Sequence, residues 1–150
     1  MLGLDVGDRR IGVAISDPTG LVVRPLSVLR RTSNLADGDA IARLVAENQV
    51  EQLVVGLPLA GDNSIGEQAR KTLAFVRFLR KRLTIPIATW DERYSTQDAQ
   101  REMIAQGRRR ARRRELLDAA AAAVLLDEWL TAHRPAPTAP ADPWYNQTPK

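Results

Sequence analysis

The stretch Leu2-Gly3-Leu4-Asp5-Val6-Gly7-Asp8-Arg9-Arg10-Ile11-Gly12-Val13-Ala14-Ile15-Ser16-Asp17 reads as two short strands joined by a tight polar turn. Period-two alternation sorts its side chains onto two faces. Leu2, Leu4 and Val6 share one face of the first strand, and Ile11, Val13 and Ile15 share one face of the second. The opposite face carries Gly3, Asp5 and Gly7, then Gly12, Ala14 and Ser16. Asp5 is thus a lone carboxylate in mid-sheet, among neighbours too small to pack around it. A carboxylate in such a place needs a cation, a hydrogen-bond donor or water. On this ground alone Asp5 is a ligand candidate.

Outward from the hairpin, Leu21 to Leu29 reads as a third strand, which Pro25 confines to a sheet edge because proline cannot donate to a neighbour. Asp37 or Asp39 is the expected cap of a helix running to about Asn48, with Ile41, Leu44 and Val45 on its buried stripe. Gln52 to Pro58 is a continuous apolar run of the kind found in strands buried on both faces. Ser64-Ile65-Gly66-Glu67 has capping-box spacing and opens a helix that turns Ala69, Leu73, Val76, Leu79 and Leu83 inward. Ile85 to Trp90 forms a fifth strand, followed by Asp91-Glu92-Arg93. Ser95 or Thr96 caps a short helix ended by Gly107, an arginine-rich loop follows, and a last helix spans about Glu115 to Ala132. Three consecutive strands and then alternating helix and strand predict an α/β sheet with an antiparallel edge and a parallel centre, its crossovers right-handed. Five of the nine prolines fall from Pro135 onward. Residues 1–134 are therefore read as one domain and 135–150 as a proline-rich disordered tail.

Hydrophobic residues make up 44% of the chain, enough for a globular core. The absence of cysteine excludes a disulfide framework and a thiolate metal site, and favours an intracellular setting. The apolar start is interrupted by Asp5 and Arg9-Arg10, which is unlike a signal peptide, and no run is long enough to cross a membrane. Net charge is +4, yet Arg108, Arg109, Arg110, Arg112, Arg113 and Arg114 alone supply more than that, so the rest of the chain is net acidic. Basicity so concentrated suits one segment facing a polyanion, against the plainer reading of a solvated charge run.

Three acidic points are expected at one end of the sheet: Asp5, the pair Asp91-Glu92 ending the fifth strand, and Asp118 opening the last helix. The stripe Asp118, Ala122, Leu125, Trp129 follows helical spacing, which sets an acid on a buried face beside Ala119 to Ala123. Small alanines allow close approach, and the matching smooth surface is the sheet face that carries Asp5. Asp5 and Asp118 are accordingly expected to meet. Like-charged carboxylates held together require a proton or a cation. Hard oxygen ligands of this kind suit Mg²⁺ or Mn²⁺. Two such ions roughly 4 Å apart can stabilise both the attacking and the leaving oxygen of a phosphodiester. The competing readings are a helix N-terminal acid favoured by the macrodipole for Asp118, and an ion pair with Arg93 or helix capping for Asp91 and Glu92. Because adjacent residues point to opposite faces, one of Asp91 and Glu92 is expected to join the cluster. The Gly7-to-Gly12 spacing lacks the Lys-Ser/Thr of a phosphate loop, and His133 is the sole histidine, so neither a phosphate loop nor a histidine triad or zinc site is supported.

The motifs Asp5-Val6-Gly7, Arg10-Ile11-Gly12-Val13-Ala14 and Ser16-Asp17 resemble the opening signature of the YqgF family, bacterial proteins described as Holliday junction resolvases and pre-16S rRNA nucleases. The similarity continues through Val55-Gly56-Leu57-Pro58, Gly66, Phe75, Leu79, Asp91-Glu92-Arg93 and Ser95-Thr96, and closes with Asp118 to Ala122 and Leu125-Leu126. The resemblance implies an RNase H-like α/β fold, a five-stranded mixed sheet of order 3-2-1-4-5 with an antiparallel edge hairpin, flanked by helices. It also implies metal-dependent cleavage of structured nucleic acid in the cytoplasm, with 5′-end processing of pre-16S rRNA as the assigned role. Carried over by position, Asp5, Glu92 and Asp118 match the metal-binding acids, with Asp91 as the substitute for Glu92. Arg9, Arg10, Arg93 and the run from Arg108 to Arg114 are the expected phosphate contacts, fixing position more than sequence. One departure stands out: RuvC-like nucleases place an acid at the end of the fourth strand, where this chain has Leu57-Pro58.

The expected function is therefore a Mg²⁺- or Mn²⁺-dependent endonuclease on structured RNA such as pre-16S rRNA, with a homodimer as one option for its assembly and no membrane partner. The rivals are a resolvase-like nuclease on branched DNA and a non-catalytic RNA-binding assembly factor that retains the fold. A nucleotide-binding domain of the actin or sugar-kinase type also opens on Asp-x-Gly, but needs a second domain that 150 residues leave no room for.

Overall fold

The Gly7 amide donates to the Arg10 carbonyl at 2.8 Å, closing the turn between β1 (Leu2–Val6) and β2 (Arg10–Ser16). The two strands are antiparallel, with Leu4 opposite Val13 and Asp5 opposite Gly12. The computed structural model describes residues 1–58, 66–91 and 110–133, with side chains of the last helix described from 117 onward. The predicted short helix between Ser95 and Gly107 and the proline-rich tail lie outside the described residues.

β3 (Val23–Arg30) occupies the sheet edge beside β2, as Pro25 requires. It starts at Val23 rather than Leu21, because the Asp17 carboxylate accepts from the Thr19 hydroxyl and the Leu21 and Val22 amides and holds that segment as a turn. Register slips at Pro25: Val13 pairs with Ser27 but Ala14 pairs with Pro25, which leaves a bulge at Leu26.

The first helix, α1 (Asn34–Glu47), is capped by Ser33, whose hydroxyl accepts from the Ala36 amide at 3.1 Å. Asp37 and Asp39, the expected caps, lie inside the helix instead. Ser33 wins because it is the residue with extended backbone three positions before a free amide. β4 (Leu53–Leu57) is parallel to β1, and β5 (Ile87–Asp91) is parallel to β4. Between them runs α2 (Glu67–Arg82), whose N-cap is Gly66 without a side-chain cap bond; Ser64 of the expected capping box lies outside the described residues. Its buried residues are Ala69, Thr72, Phe75, Val76 and Leu79. Sheet order is β3-β2-β1-β4-β5, the predicted 3-2-1-4-5.

Two cores result. The larger lies between the sheet and α1 and α2 and contains Leu2, Leu4, Ile11, Val13, Ile41, Leu53, Val55 and Phe75. On the other sheet face lies a smaller one, built from Ala14, Val54, Ala122, Leu125, Leu126 and Leu130, under the last helix α3 (Arg110–His133). α3 starts at Arg110, so Arg110 to Arg114 open a helix rather than forming the predicted loop. Asp118 consequently sits eight residues inside, beyond the first-turn reach of the helix dipole, and that reading of it falls away. Among the described residues no helix is long and apolar enough to cross a membrane.

Candidate functional site

The site starts from a glycine. A Cβ added at Gly12 would stand 1.9 Å from the Asp118 carbonyl oxygen and 2.3 Å from its carbon. At Gly3 the same atom would meet Leu126 Cβ at 2.9 Å and the Ala122 carbonyl oxygen at 3.1 Å. The main chain of α3 therefore rests directly on the small-residue face of β1 and β2, as the complementary smoothness of the two sequences predicts. Asp5 is the register partner of Gly12 and shares this face, so Asp5 and Asp118 flank the same glycine.

Arg10 completes the group. It lies on β2 two residues before Gly12, on the same face by alternation. Its Nε donates to Asp118 Oδ2 at 2.6 Å, a charge-assisted bond between side chains 28% and 27% exposed. Asp118 is thus half-exposed at the border of the buried stripe, which runs through Ala119, Ala122 and Leu126, rather than fully within it. Arg10 is one of the expected phosphate contacts, and its Nε is engaged by the Asp118 carboxylate. A positive charge there eases the repulsion between two neighbouring carboxylates.

From the other face of the sheet the loop after Asp5 is tied down. Arg31 donates through Nη1 to the Gly7 carbonyl at 3.1 Å and through Nε to Asp37 at 3.2 Å. Its guanidinium carbon lies 4.9 Å from the centre of the Phe75 ring. Gln68 Nε2 donates to the Val6 carbonyl at 3.3 Å, and Lys71 lies 3.7 Å from Asp8. Sequence reading missed Arg31 and Gln68. The position of Arg31 just before the Ser33 cap is the one local signal that it turns into the fold.

The alternation of β5 separates the acids at its end. Trp90 packs with the α3-side core and donates through Nε1 to Glu128 Oε2 at 3.3 Å. Asp91, paired with Leu57, therefore belongs to the α1–α2 side, opposite the face of Asp5. Glu92, Arg93, Arg108 and Arg109 lie outside the described residues. Arg110, Arg112, Arg113 and Arg114 open α3, where the backbone alone is described, and Arg9 is exposed in the turn. Among the described residues no group of three or more His, Cys, Asp or Glu converges on one point. Asp5 and Asp118 supply two hard oxygen donors of the type that suits Mg²⁺ or Mn²⁺. A cleft of about 700 Å³ lies at the other end of β1, lined by Met1, Ser16, Asp17, Arg24, Glu51 and Leu130 among others, and it includes neither Asp5 nor Asp118.

Comparison with known proteins gives this arrangement its relatives. A "Putative pre-16S rRNA nuclease" of Desulforamulus reducens is 40% identical over 130 residues, covering 87% of this chain and 95% of the relative. Another of the same name, from Myxococcus xanthus, is 43% identical over 137 residues and covers 91% of each. Among solved structures, Thermus thermophilus RuvC in complex with a Holliday junction substrate superposes with a TM-score of 0.54 at 15% identity, covering 88% of this chain and 94% of that one. The Fowlpox virus resolvase with Holliday junction DNA gives 0.54 at 9% identity, covering 89% and 98%. Both share the fold. The family description "RuvX: Holliday junction resolvase" matches residues 1–132, and the chain belongs to that family of phosphodiester-cleaving enzymes.

Proposed function

We propose that this protein is a divalent-metal-dependent endonuclease that trims the 5′ end of pre-16S rRNA in the cytoplasm. The observation that carries the reading is the Gly12 contact, which brings Asp5 and Asp118 to one patch of sheet. Asp5, Asp118 and Glu92 would hold Mg²⁺ or Mn²⁺. Asp91, on the other face of β5, is the weaker candidate for the third position. Bound there, such a cation would supply positive charge for phosphate oxygens and lower the pKa of water.

The chain's own residues do the positioning. Asp118 is carried on backbone that rests against Gly12, and Asp5 is the register partner of that glycine on the neighbouring strand. Arg9 lies in the exposed turn beside Asp5. Arg110, Arg112, Arg113 and Arg114 open the helix that carries Asp118, where the helix dipole adds to their positive charge. Such a run attracts backbone phosphates without reading sequence. The relatives' name supports rRNA as the substrate. The family description and the junction-bound neighbours of the same fold support a second reading, cleavage of four-way DNA junctions.

One experiment tests both. The purified full chain is incubated with a model pre-16S precursor and with a four-way DNA junction, in Mg²⁺, in Mn²⁺ and in EDTA. The expected outcome is cleavage of the RNA at the higher kcat/KM, abolished in EDTA and in Asp5→Asn, whose circular dichroism stays native. Equal activity of Asp5→Asn overturns the assignment. Tight binding of RNA in EDTA with no cleavage under any divalent ion would establish a non-catalytic assembly factor instead.

A further inference from the structure

Arg10 is linked to the site acid by one nitrogen. Nε bonds Oδ2 of Asp118, and among the described residues neither terminal NH₂ group has a partner. A guanidinium carries five N–H donors in a fixed planar fork, so engagement through Nε leaves four donors held in a known plane. The side chain is 28% exposed, which leaves that end of the fork reachable from solvent. Asp118 in turn has Arg10 as its partner among the described residues, engaged through Oδ2. The arrangement is fixed at both ends. Arg10 belongs to β2, where its carbonyl accepts from the Gly7 amide, and Asp118 rests by its main chain on Gly12, two residues along the same strand.

We propose that Arg10 is a positioning residue that couples the phosphate to the metal ligand, holding Asp118 by Nε while its NH₂ groups take a non-bridging oxygen of the nucleic-acid backbone. This rests on the reading of Asp5 and Asp118 as metal ligands. Holding Oδ2 in place restricts the rotation of the Asp118 carboxylate. A phosphate on the same guanidinium is then placed at a fixed offset from that carboxylate. The role is distinct from that of Arg9, which lies in the exposed turn and pairs with no acid of the site among the described residues. It also explains why a cation-binding carboxylate is left with an arginine beside it: the arginine serves two anions at once.

The test measures Mn²⁺ affinity and nucleic-acid affinity separately, on the metal-stripped full chain. Free Mn²⁺ is followed by electron paramagnetic resonance for the wild type, Arg10→Met, Arg10→Lys, Arg9→Met and Asp118→Asn. Loss of a hydrogen-bond partner of a metal-ligating carboxylate weakens metal affinity by about 10–100-fold. Arg10→Met is expected to show that loss, and Arg9→Met none. Binding of a four-way junction in EDTA, repeated over a range of salt, should lose about one unit of log–log slope in Arg10→Met. Arg10→Lys keeps the charge and the fold but has a single ammonium, so it should preserve one of the two affinities and not both.

Mn²⁺ bound by Arg10→Met as tightly as by the wild type, or more tightly, overturns the coupling. So does full retention of both affinities in Arg10→Lys. If Asp118→Asn binds Mn²⁺ like the wild type, the ligand assignment itself fails, a result distinguishable from the other two.

Discussion

Gly12 and Asp118 touch main chain to main chain: the carbonyl of one occupies the space where a side chain on the other would begin. The contact joins a strand to a helix more than a hundred residues away in sequence and sets the approach of α3 to the sheet. Gly12→Ala would drive a methyl group into backbone that has no rotamer to move. Overpacking of this kind costs about 1–3 kcal/mol and occasionally more. Urea unfolding should place the variant at or above the top of that range. Its cleavage rate should fall further than its stability, because the acid rides on the helix that is displaced. Wild-type stability in Gly12→Ala would mean that the helix is not seated as described.

Asp91 offers a sharper discrimination. It lies on the α1–α2 side of the sheet, and Asp5 on the other. Asp91→Asn should keep at least about a third of the wild-type cleavage rate, whereas Asp5→Asn and Asp118→Asn should each lose about a thousandfold, equivalent to ~4 kcal/mol of barrier. Single-turnover kinetics with the RNA precursor gives the comparison directly. A loss in Asp91→Asn as large as in Asp5→Asn would restore Asp91 as a ligand.

The Arg31–Asp37 pair is where stability and site meet. Asp37 is 3% exposed and accepts from Arg31 Nε and the Thr32 amide, while the same arginine holds the Gly7 carbonyl just beyond Asp5. Removing one member of a buried pair leaves an uncompensated charge and costs about 3–5 kcal/mol. Arg31→Met should therefore lower unfolding free energy by about that amount in urea titration. Arg31→Met with Asp37→Asn together should recover part of it, since the stranded charge is gone. Additive losses in the double variant would contradict the pairing.

Acidity gives a test in the β2–β3 turn. The Thr19 hydroxyl first, then the Val22 amide, with smaller help from the Leu21 and Gly20 amides, holds the Asp17 carboxyl below its ordinary value of 3.8. A carboxyl depressed in the folded state stabilises the fold above its unfolded pKa, and that stabilisation disappears as pH falls through the folded value. Carboxyl ¹³C titration should find Asp17 below 3.8 and moved upward in Thr19→Ala. An unmoved value in Thr19→Ala would remove the hydroxyl from the account.

The sheet was legible because alternation speaks at every second residue. Leu4 and Val13 announce one face, Asp5 and Gly12 the other, and the parallel centre follows from the apolar run at Leu53 to Leu57. Helix starts were less legible. Asp37 carries the cap residue type, but Ser33 carries the cap geometry, and Asp37 is drawn inward by an arginine that local sequence does not connect to it. The seating of α3 on the face that carries Asp5 was readable because glycine and alanine mark both sides of a close contact. The engagement of Arg10 was not, since an arginine beside an acid-bearing strand reads equally as a phosphate ligand. What selects Asp118 is a helix position set by tertiary contact.

The two cores divide the molecule's tolerance to change. Substitutions among Leu53, Ile41 and Val76 act on the layer under α1 and α2, on the far side of the sheet from Gly12. The approach of the helix bearing Asp118 to the sheet is set instead on the opposite face, by its main chain at Gly12 and by Leu126 and the Ala122 carbonyl at Gly3. Fold stability in this protein can therefore drift, through repacking of the larger layer, while the seating of that helix stays fixed.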